Sequence, residues 1–183
     1  MTTRLVLVRH PESASVRPDA ELLAEELASA GIAHLYSSDL HRALEPAEMI
    51  AKRLGLSVTV DERLREIHFG ELEGRSYEDI ELANPVFYRS LMERPTEARF
   101  PGGESYADLR ARAASFLGDV LERHRGSAVA AISHGGTNRA LLGIALNLAD
   151  ADVFRLAQDH GRVSVVDWYE DTAVVQLLNG RLR

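Results

Sequence analysis

The chain of 183 residues has no cysteine. That absence removes disulfides, thiolate metal sites, iron–sulfur clusters and any cysteine nucleophile, so phosphoryl transfer through a thiol is excluded. Lysine is almost missing as well: of 21 basic side chains, all but Lys52 are arginine. Taken alone, that excess reflects composition and says nothing about function. Long apolar runs are also lacking. The first, Leu5 to Val8, is far too short for a membrane span or a signal-peptide core, and no later run reaches about 18 residues. No membrane partner is expected, and the cytoplasm is the expected location. There is no basic block, and the formal net charge is -7, which argues against nucleic acid bound through bulk charge. What remains, 45% hydrophobic and 27% charged, is the composition of an ordinary globular protein. Such a length suits one domain that buries roughly 70% of its unfolded surface.

Neither an internal repeat nor a Gly/Ser-rich linker divides the chain. Its rhythm is strand, helix, strand, helix. Leu5–Val8 reads as a strand covered on both faces. Asp19 precedes helical spacing through Leu22, Leu23, Glu26 and Leu27, which stops at Gly31. Leu35–Ser37 is a second strand, Leu40 to Leu54 a helix ended by Gly55, and Val58–Val60 a third strand. The stretch from about 62 to 104 differs: Pro85, Pro95 and Pro101 fall within it, and only Ser76-Tyr77-Glu78-Asp79, resembling a capping box, suggests a short helix. We read it as a cap inserted into a single domain over 1–183. A long amphipathic helix opens at Ser105 and reaches about Arg123. Ala128–Ile132 is a buried strand followed by a helix from Thr137 to about Leu146. Two strand-like runs, Val163–Tyr169 and Ala173–Leu178, close the chain. The pattern predicts an α/β fold with a mostly parallel central sheet and helices on both faces. The apolar C-terminal hairpin is a candidate edge for a homodimer.

In open α/β sheets ligands gather beyond the carboxyl ends of the strands. Arg9-His10 follows the first strand, Ser38-Asp39-Leu40-His41-Arg42 the second, and Ser133-His134-Gly135-Gly136 the strand near residue 130. Any one of these is ordinary: a lone histidine after a strand is usually structural, and Gly-Gly is a weak turn signal. Their conjunction suits a phosphate. Arginine offers planar paired donors to phosphate oxygens. The helix start near Thr137 adds backbone donors and a positive dipole end, and an imidazole held neutral among cations keeps a lone pair for attack on phosphorus.

These strings, in this order, resemble the motifs of the histidine phosphatase superfamily, the phosphoglycerate mutase-like group. Leu5-Val6-Leu7-Val8-Arg9-His10-Pro11-Glu12-Ser13 is similar to its opening motif, and Ser37 to Glu45 to its second, whose arginine binds phosphate. Leu64 to Gly74 is similar to its third, where the first glutamate donates a proton. Pro101-Gly102-Gly103-Glu104-Ser105 resembles the segment before its long helix, and Ile132 to Gly136 with Arg139 its last motif. The likeness runs over roughly residues 4 to 146 and implies the phosphoglycerate mutase-like fold. It also implies roles: His10 as the phosphorylated nucleophile, Arg9, Arg42 and His134 as the phosphate pocket, and Glu66 as proton donor, with Glu71 and Glu73 as nearby rivals. Ser13, Arg17, Gly135 and Tyr77 are the candidate substrate contacts. Phe87, Tyr88, Arg89 and Tyr106 are further candidates in and beside the cap. No metal or cofactor is called for, and the partner is a small phosphorylated substrate.

Two departures stand out. Pro11 occupies the family's glycine position and removes a backbone N–H while fixing φ near -65°. Only 28 residues separate His10 from Asp39, fewer than in typical members, and the family's asparagine has no obvious replacement beyond Ser13, Ser15 and Arg17. Pro46 replaces the usual Thr or Gln, with a local effect expected. The motifs around Phe69–Gly74 and Gly102–Ser105 look most like small ribazole-phosphate and broad-specificity phosphatases. The expected activity is therefore a metal-independent phosphomonoester hydrolase. The alternatives are a degenerate member that binds a phosphorylated ligand without turnover, and a phosphoglycerate mutase or bisphosphatase.

Overall fold

A computed structural model describes residues 1–12 and 16–182. Strand β1 (Thr3–Arg9) carries the apolar run at its centre, and alternate side chains point to opposite faces of the pleat. Leu5 and Leu7 pack into a core with Phe116, Leu109 and Leu141. Val6 and Val8 pack into a second core with Leu23, Ala43 and Ile50. A sheet covered on both faces needs this kind of continuous apolar strand. One layer comprises α1 (Val16–Ser29) and α2 (His41–Leu54). The other comprises α5 (Tyr106–Arg123) and α6 (Gly135–Ala145).

Six strands form one sheet in the order β3-β2-β4-β1-β5-β6, with β2 at His34–Ser37, β3 at Val58–Val60, β4 at Ala128–Ser133, β5 at Val163–Trp168 and β6 at Ala173–Gly180. The first four run parallel, while β5 pairs antiparallel with both β1 and β6. The sheet is thus mostly parallel with an antiparallel edge. Arg9 lies level with Ser133, and Ser37 with Ile132. Beyond those pairs the amide of His10 donates to the Ser133 carbonyl at 3.0 Å, and that of Ser38 to Ile132 at 3.0 Å. His10, Ser38 and His134 therefore leave the sheet at one edge.

Some boundaries differ from expectation. α6 starts at Gly135, two residues before Thr137, with His134 in extended geometry as its N-cap; two glycines pose no barrier to a first turn whose amides face a site. α1 is already helical at Val16, ahead of Asp19. Between β3 and α5 lie two 3-10 turns (Glu62–Leu64 and Gly70–Leu72), then α3 (Tyr77–Ala83) and α4 (Pro85–Glu93). The Ser76–Asp79 capping box is formed, as is a second one, Ser105–Asp108, that opens α5. α4 was not anticipated, although Asn84 caps it and Pro85 fills its first turn, a standard start signal.

This 62–104 segment has a small apolar cluster of its own: Leu91, Ala98 and Phe100 with Phe69, Leu72 and Phe87 against them. Its base is two chain strips in close contact. The Glu71 amide donates to the Pro101 carbonyl at 2.9 Å and that of Glu104 to His68 at 2.9 Å. Gly70 makes the approach feasible: φ is +59°, and a Cβ there would stand 2.1 Å from the Pro101 oxygen. We expect Gly70→Ala to cost about 2–5 kcal/mol from the left-handed backbone and the overlap together, lowering Tm by roughly 5 °C or more. A thermal melt superimposable on wild type would refute this close packing.

Candidate active site

His10 is 7% exposed, and its Nδ1 lies 2.7 Å from the carbonyl oxygen of Pro11. A carbonyl only accepts, so Nδ1 carries the proton and Nε2 keeps the lone pair. Burial, set against the Pro11 hydrogen bond and joined by the charges of Arg42 and Arg9, lowers the His10 pKa to about 4. The ring of His134 sits 5.1 Å away, edge-on at 64°. His134 is buried at the head of α6, with Nε2 3.0 Å from the Ser38 hydroxyl. Burial and then Arg42 lower its pKa to about 2. Both rings are neutral at physiological pH.

The cations around this pair have distinct duties. Arg42 lies in the first turn of α2 and forms no ion pair with a described carboxylate. Arg9 is more constrained: Nη1 donates to the Gln158 carbonyl at 2.5 Å and Nη2 meets Nε2 of His160 at 2.7 Å. Only its Nε is buried without a partner among the described residues. His160 in turn donates from Nδ1 to the His10 carbonyl at 2.9 Å, and its ring lies 4.8 Å from that of His10. The sequence offered no spacing to single out His160; the antiparallel pairing of β5 with β1 brings it here, since Val163 pairs with Val8.

Glu66 reaches the same helix terminus. Its Oε1 accepts from the Ile67 amide at 3.0 Å and its Oε2 from the Gly136 amide at 3.1 Å. A Cβ at Gly136 would stand 2.2 Å from Oε1, so the carboxylate occupies the space that this glycine leaves. The loop bearing Glu66 is braced from α5. Arg112 donates to the carbonyls of Arg63, Arg65 and Glu66 at 2.7, 2.7 and 3.0 Å, and to Glu104 at 2.9 Å. Burial pushes the Glu104 carboxyl up, but Arg112 and the His68 amide outweigh it and hold the group below its usual range. Thr137 donates to the Arg65 carbonyl at 2.6 Å, and the Arg65 guanidinium pairs with Asp39. Arg112 was missed from the sequence; its signal was faint, a lone arginine on the buried side of α5 two turns after Glu104.

The remaining candidates fall in varied places. Ser13 and Ser15 lie outside the described residues. Arg17 is exposed and pairs with Glu21 at 3.3 Å. Gly135 opens α6, where a Cβ would meet Nη1 of Arg139 at 3.2 Å and Nε of Arg9 at 3.5 Å. Tyr77 and Tyr106 line a cavity of about 650 Å³ beside Glu66. Phe87 packs on Phe100 instead, and neither Tyr88 nor Arg89 lines that cavity. Of the rivals to Glu66, Glu73 accepts from the Phe69 amide at 3.3 Å and lines the same cavity as Glu66, while Glu71 lies by Gly102. A second cleft, of about 690 Å³, is lined by Arg42, Arg65, Glu66 and Arg112. Among the described residues no cluster of three or more His, Asp or Glu side chains suits a metal ion, and no helix is long and apolar enough to cross a membrane.

The family model of the histidine phosphatase superfamily, branch 1, matches residues 5–181. The chain is 37% identical over 128 residues to phosphoglycerate mutase-like protein 4 of Arabidopsis thaliana, a match covering 68% of this chain and 56% of the plant protein. The chain thus spans little more than half the length of that relative. Among solved structures, a mycobacterial glucosyl-3-phosphoglycerate phosphatase in complex with inorganic phosphate superimposes with a TM-score of 0.86 at 28% identity, covering 97% of each chain. The alpha-ribazole phosphatase of Shigella flexneri superimposes with a TM-score of 0.88 at 21% identity, over 97% of this chain and 96% of that one.

The low His10 pKa has a direct readout. A depressed histidine pKa means that the neutral form persists above about 4 and is lost as pH falls through that value. Two-dimensional 15N NMR should show the His10 ring neutral, with Nδ1 protonated, at pH 5.5, where an ordinary imidazole near 6.5 is mostly charged. A His10 titration centred near 6.5 would contradict the buried, cation-flanked environment.

Proposed function

The chain belongs to branch 1 of the histidine phosphatase superfamily, and on that premise we propose that it hydrolyses phosphomonoesters through a phosphohistidine at His10. The observation that carries this reading is the hydrogen bond from His10 Nδ1 to the Pro11 carbonyl, which leaves Nε2 as a neutral nucleophile. In the first step the Nε2 lone pair forms a bond to phosphorus as the ester P–O bond breaks. Glu66 gives its proton to the departing alkoxide. Nδ1 keeps its hydrogen, so the phosphorylated ring is a cation steadied by the Pro11 carbonyl. In the second step Glu66 takes a proton from water, the resulting hydroxide attacks phosphorus, and the P–N bond breaks to restore neutral His10. Arg42, His134, the Nε of Arg9 and those α6 amides that Glu66 leaves free oppose the charge on the equatorial oxygens. Charge neutralisation then comes from side chains and amides, so the reaction needs no metal ion.

One observation favours the rival reading, a protein that binds phosphate esters without cleaving them: Arg9 directs both Nη groups into the protein. A mutase is the other rival. Three measurements separate them. Wild-type protein should hydrolyse p-nitrophenyl phosphate in EDTA, and His10→Ala should reduce that rate by about 10³-fold or more. Acid quench during turnover should trap acid-labile phosphate on His10. A wild-type protein inert towards every phosphomonoester would leave only the binder, and isomerisation of 3-phosphoglycerate in place of its hydrolysis would indicate the mutase. Separately, Gly136→Ala should displace the Glu66 carboxylate and lower kcat by about 10²-fold while the melting curve stays close to wild type. Full activity in that variant would remove Glu66, held as it is at α6, from the acid–base role.

A further inference from the structure

Glu66, Ile67 and Glu73 line two clefts. On one side lies the arginine-lined cleft with Arg42, whose other arginines are taken: Arg63 by Asp61 and Asp119, Arg65 by Asp39, Arg112 by Glu104. On the other side lies the cavity of about 650 Å³, which also reaches Gly136 at the α6 terminus. Its walls come from three parts of the chain. Phe69, Leu72, Ile80 and Leu91 belong to the 62–104 segment, Leu109 to α5, and Phe154 to a 3-10 turn before β5.

Polar side chains are the minority in this lining, and two of them are engaged elsewhere. Glu73 accepts from the Phe69 amide, and Arg139 donates from Nε to the Leu156 carbonyl while its guanidinium lies 5.7 Å over the Phe154 ring. The Tyr106 hydroxyl is buried without a hydrogen-bond partner among the described residues, and Arg75 also lines the cavity. Three apolar members of the wall face water: Tyr77 is 61% exposed, Met92 48% and Phe154 50%. Apolar surface gathered around a cavity and left wet gains most from an apolar occupant.

We infer that the alcohol half of the substrate is a bulky apolar group of aromatic size, seated in this cavity while its phosphate faces His10 across Glu66. The inference rests on the phosphomonoester reading but is separable from it, because affinity for the apolar group can be read without turnover. Alkyl phosphonates keep the dianion and cannot be cleaved. Isothermal titration calorimetry of wild-type protein in EDTA should show 3-phenylpropylphosphonate binding at least about tenfold tighter than ethylphosphonate. Met92→Glu, at a half-exposed position and with its fold checked by a melting curve, should cut that ratio at least fivefold. Equal affinities for the two phosphonates, tighter binding of 3-phosphoglycerate than of the phenylpropyl compound, or an unaltered ratio in Met92→Glu would each overturn the inference. Turnover of 3-phenylpropyl and ethyl phosphates, whose leaving groups are similarly basic, completes the comparison. A protein that binds the phenylpropyl phosphonate tightly yet cleaves neither ester keeps this inference and loses the phosphatase reading.

Discussion

Arg9 of β1 is level with Ser133 of β4, and this register sets the position of the imidazole pair at the centre of the site. Because the two strands are parallel, the residues that follow them leave the sheet together, and His10 and His134 meet with ring centroids 5.1 Å apart. A slip of one residue would turn His10 towards the opposite face. The register is guarded by the cores on the two faces, since Leu5 and Leu7 belong to one and Val6 and Val8 to the other. Apolar packing far from any ligand thus determines the geometry of the imidazole pair.

The α6 terminus is the second fixed point. His134 is its cap and the Gly136 amide holds Glu66, so one short piece of backbone links the histidine pair to the carboxylate. Glu66 itself lies on an irregular loop, which would be a poor mount without support. Arg112 gathers three carbonyls of that loop, and its own charge is answered by Glu104. A buried guanidinium unpaired with a carboxylate would be costly; here the pair is satisfied and the loop gains rigidity. The net charge of -7 is compatible with an anion site because most arginines are matched locally by carboxylates, while Arg42 is left facing the histidines.

Sequence reasoning reached the strands and helices whose signals are local. Leu5–Val8, the Ser76 capping box and the Gly55 stop each depend on a few adjacent residues, and each marks an element of the structure. It also found the strand ends that carry His10, Arg42 and His134, because a parallel sheet delivers such residues to one edge whatever the loop lengths. What it lacked was information about long-range pairing. His160 sits 150 residues from His10 and reaches it only because β5 runs antiparallel to β1. The brace from Arg112 depends on how α5 lies against the Glu66 loop, and no periodicity in the sequence encodes that contact. α4 was overlooked although Asn84-Pro85 announces it, because prolines were read as loop markers throughout the 62–104 segment.

Pro11 illustrates how a substitution that looks damaging in sequence can be nearly neutral in geometry. Glycine and proline differ in φ range and in the backbone N–H, but both have a carbonyl. The group that fixes the His10 tautomer is that carbonyl, at 2.7 Å from Nδ1. Proline narrows the backbone freedom of the residue supplying it, so the acceptor is held more firmly than a glycine would hold it. Orientation of the nucleophile therefore survives the exchange of glycine for proline, although the backbone N–H does not.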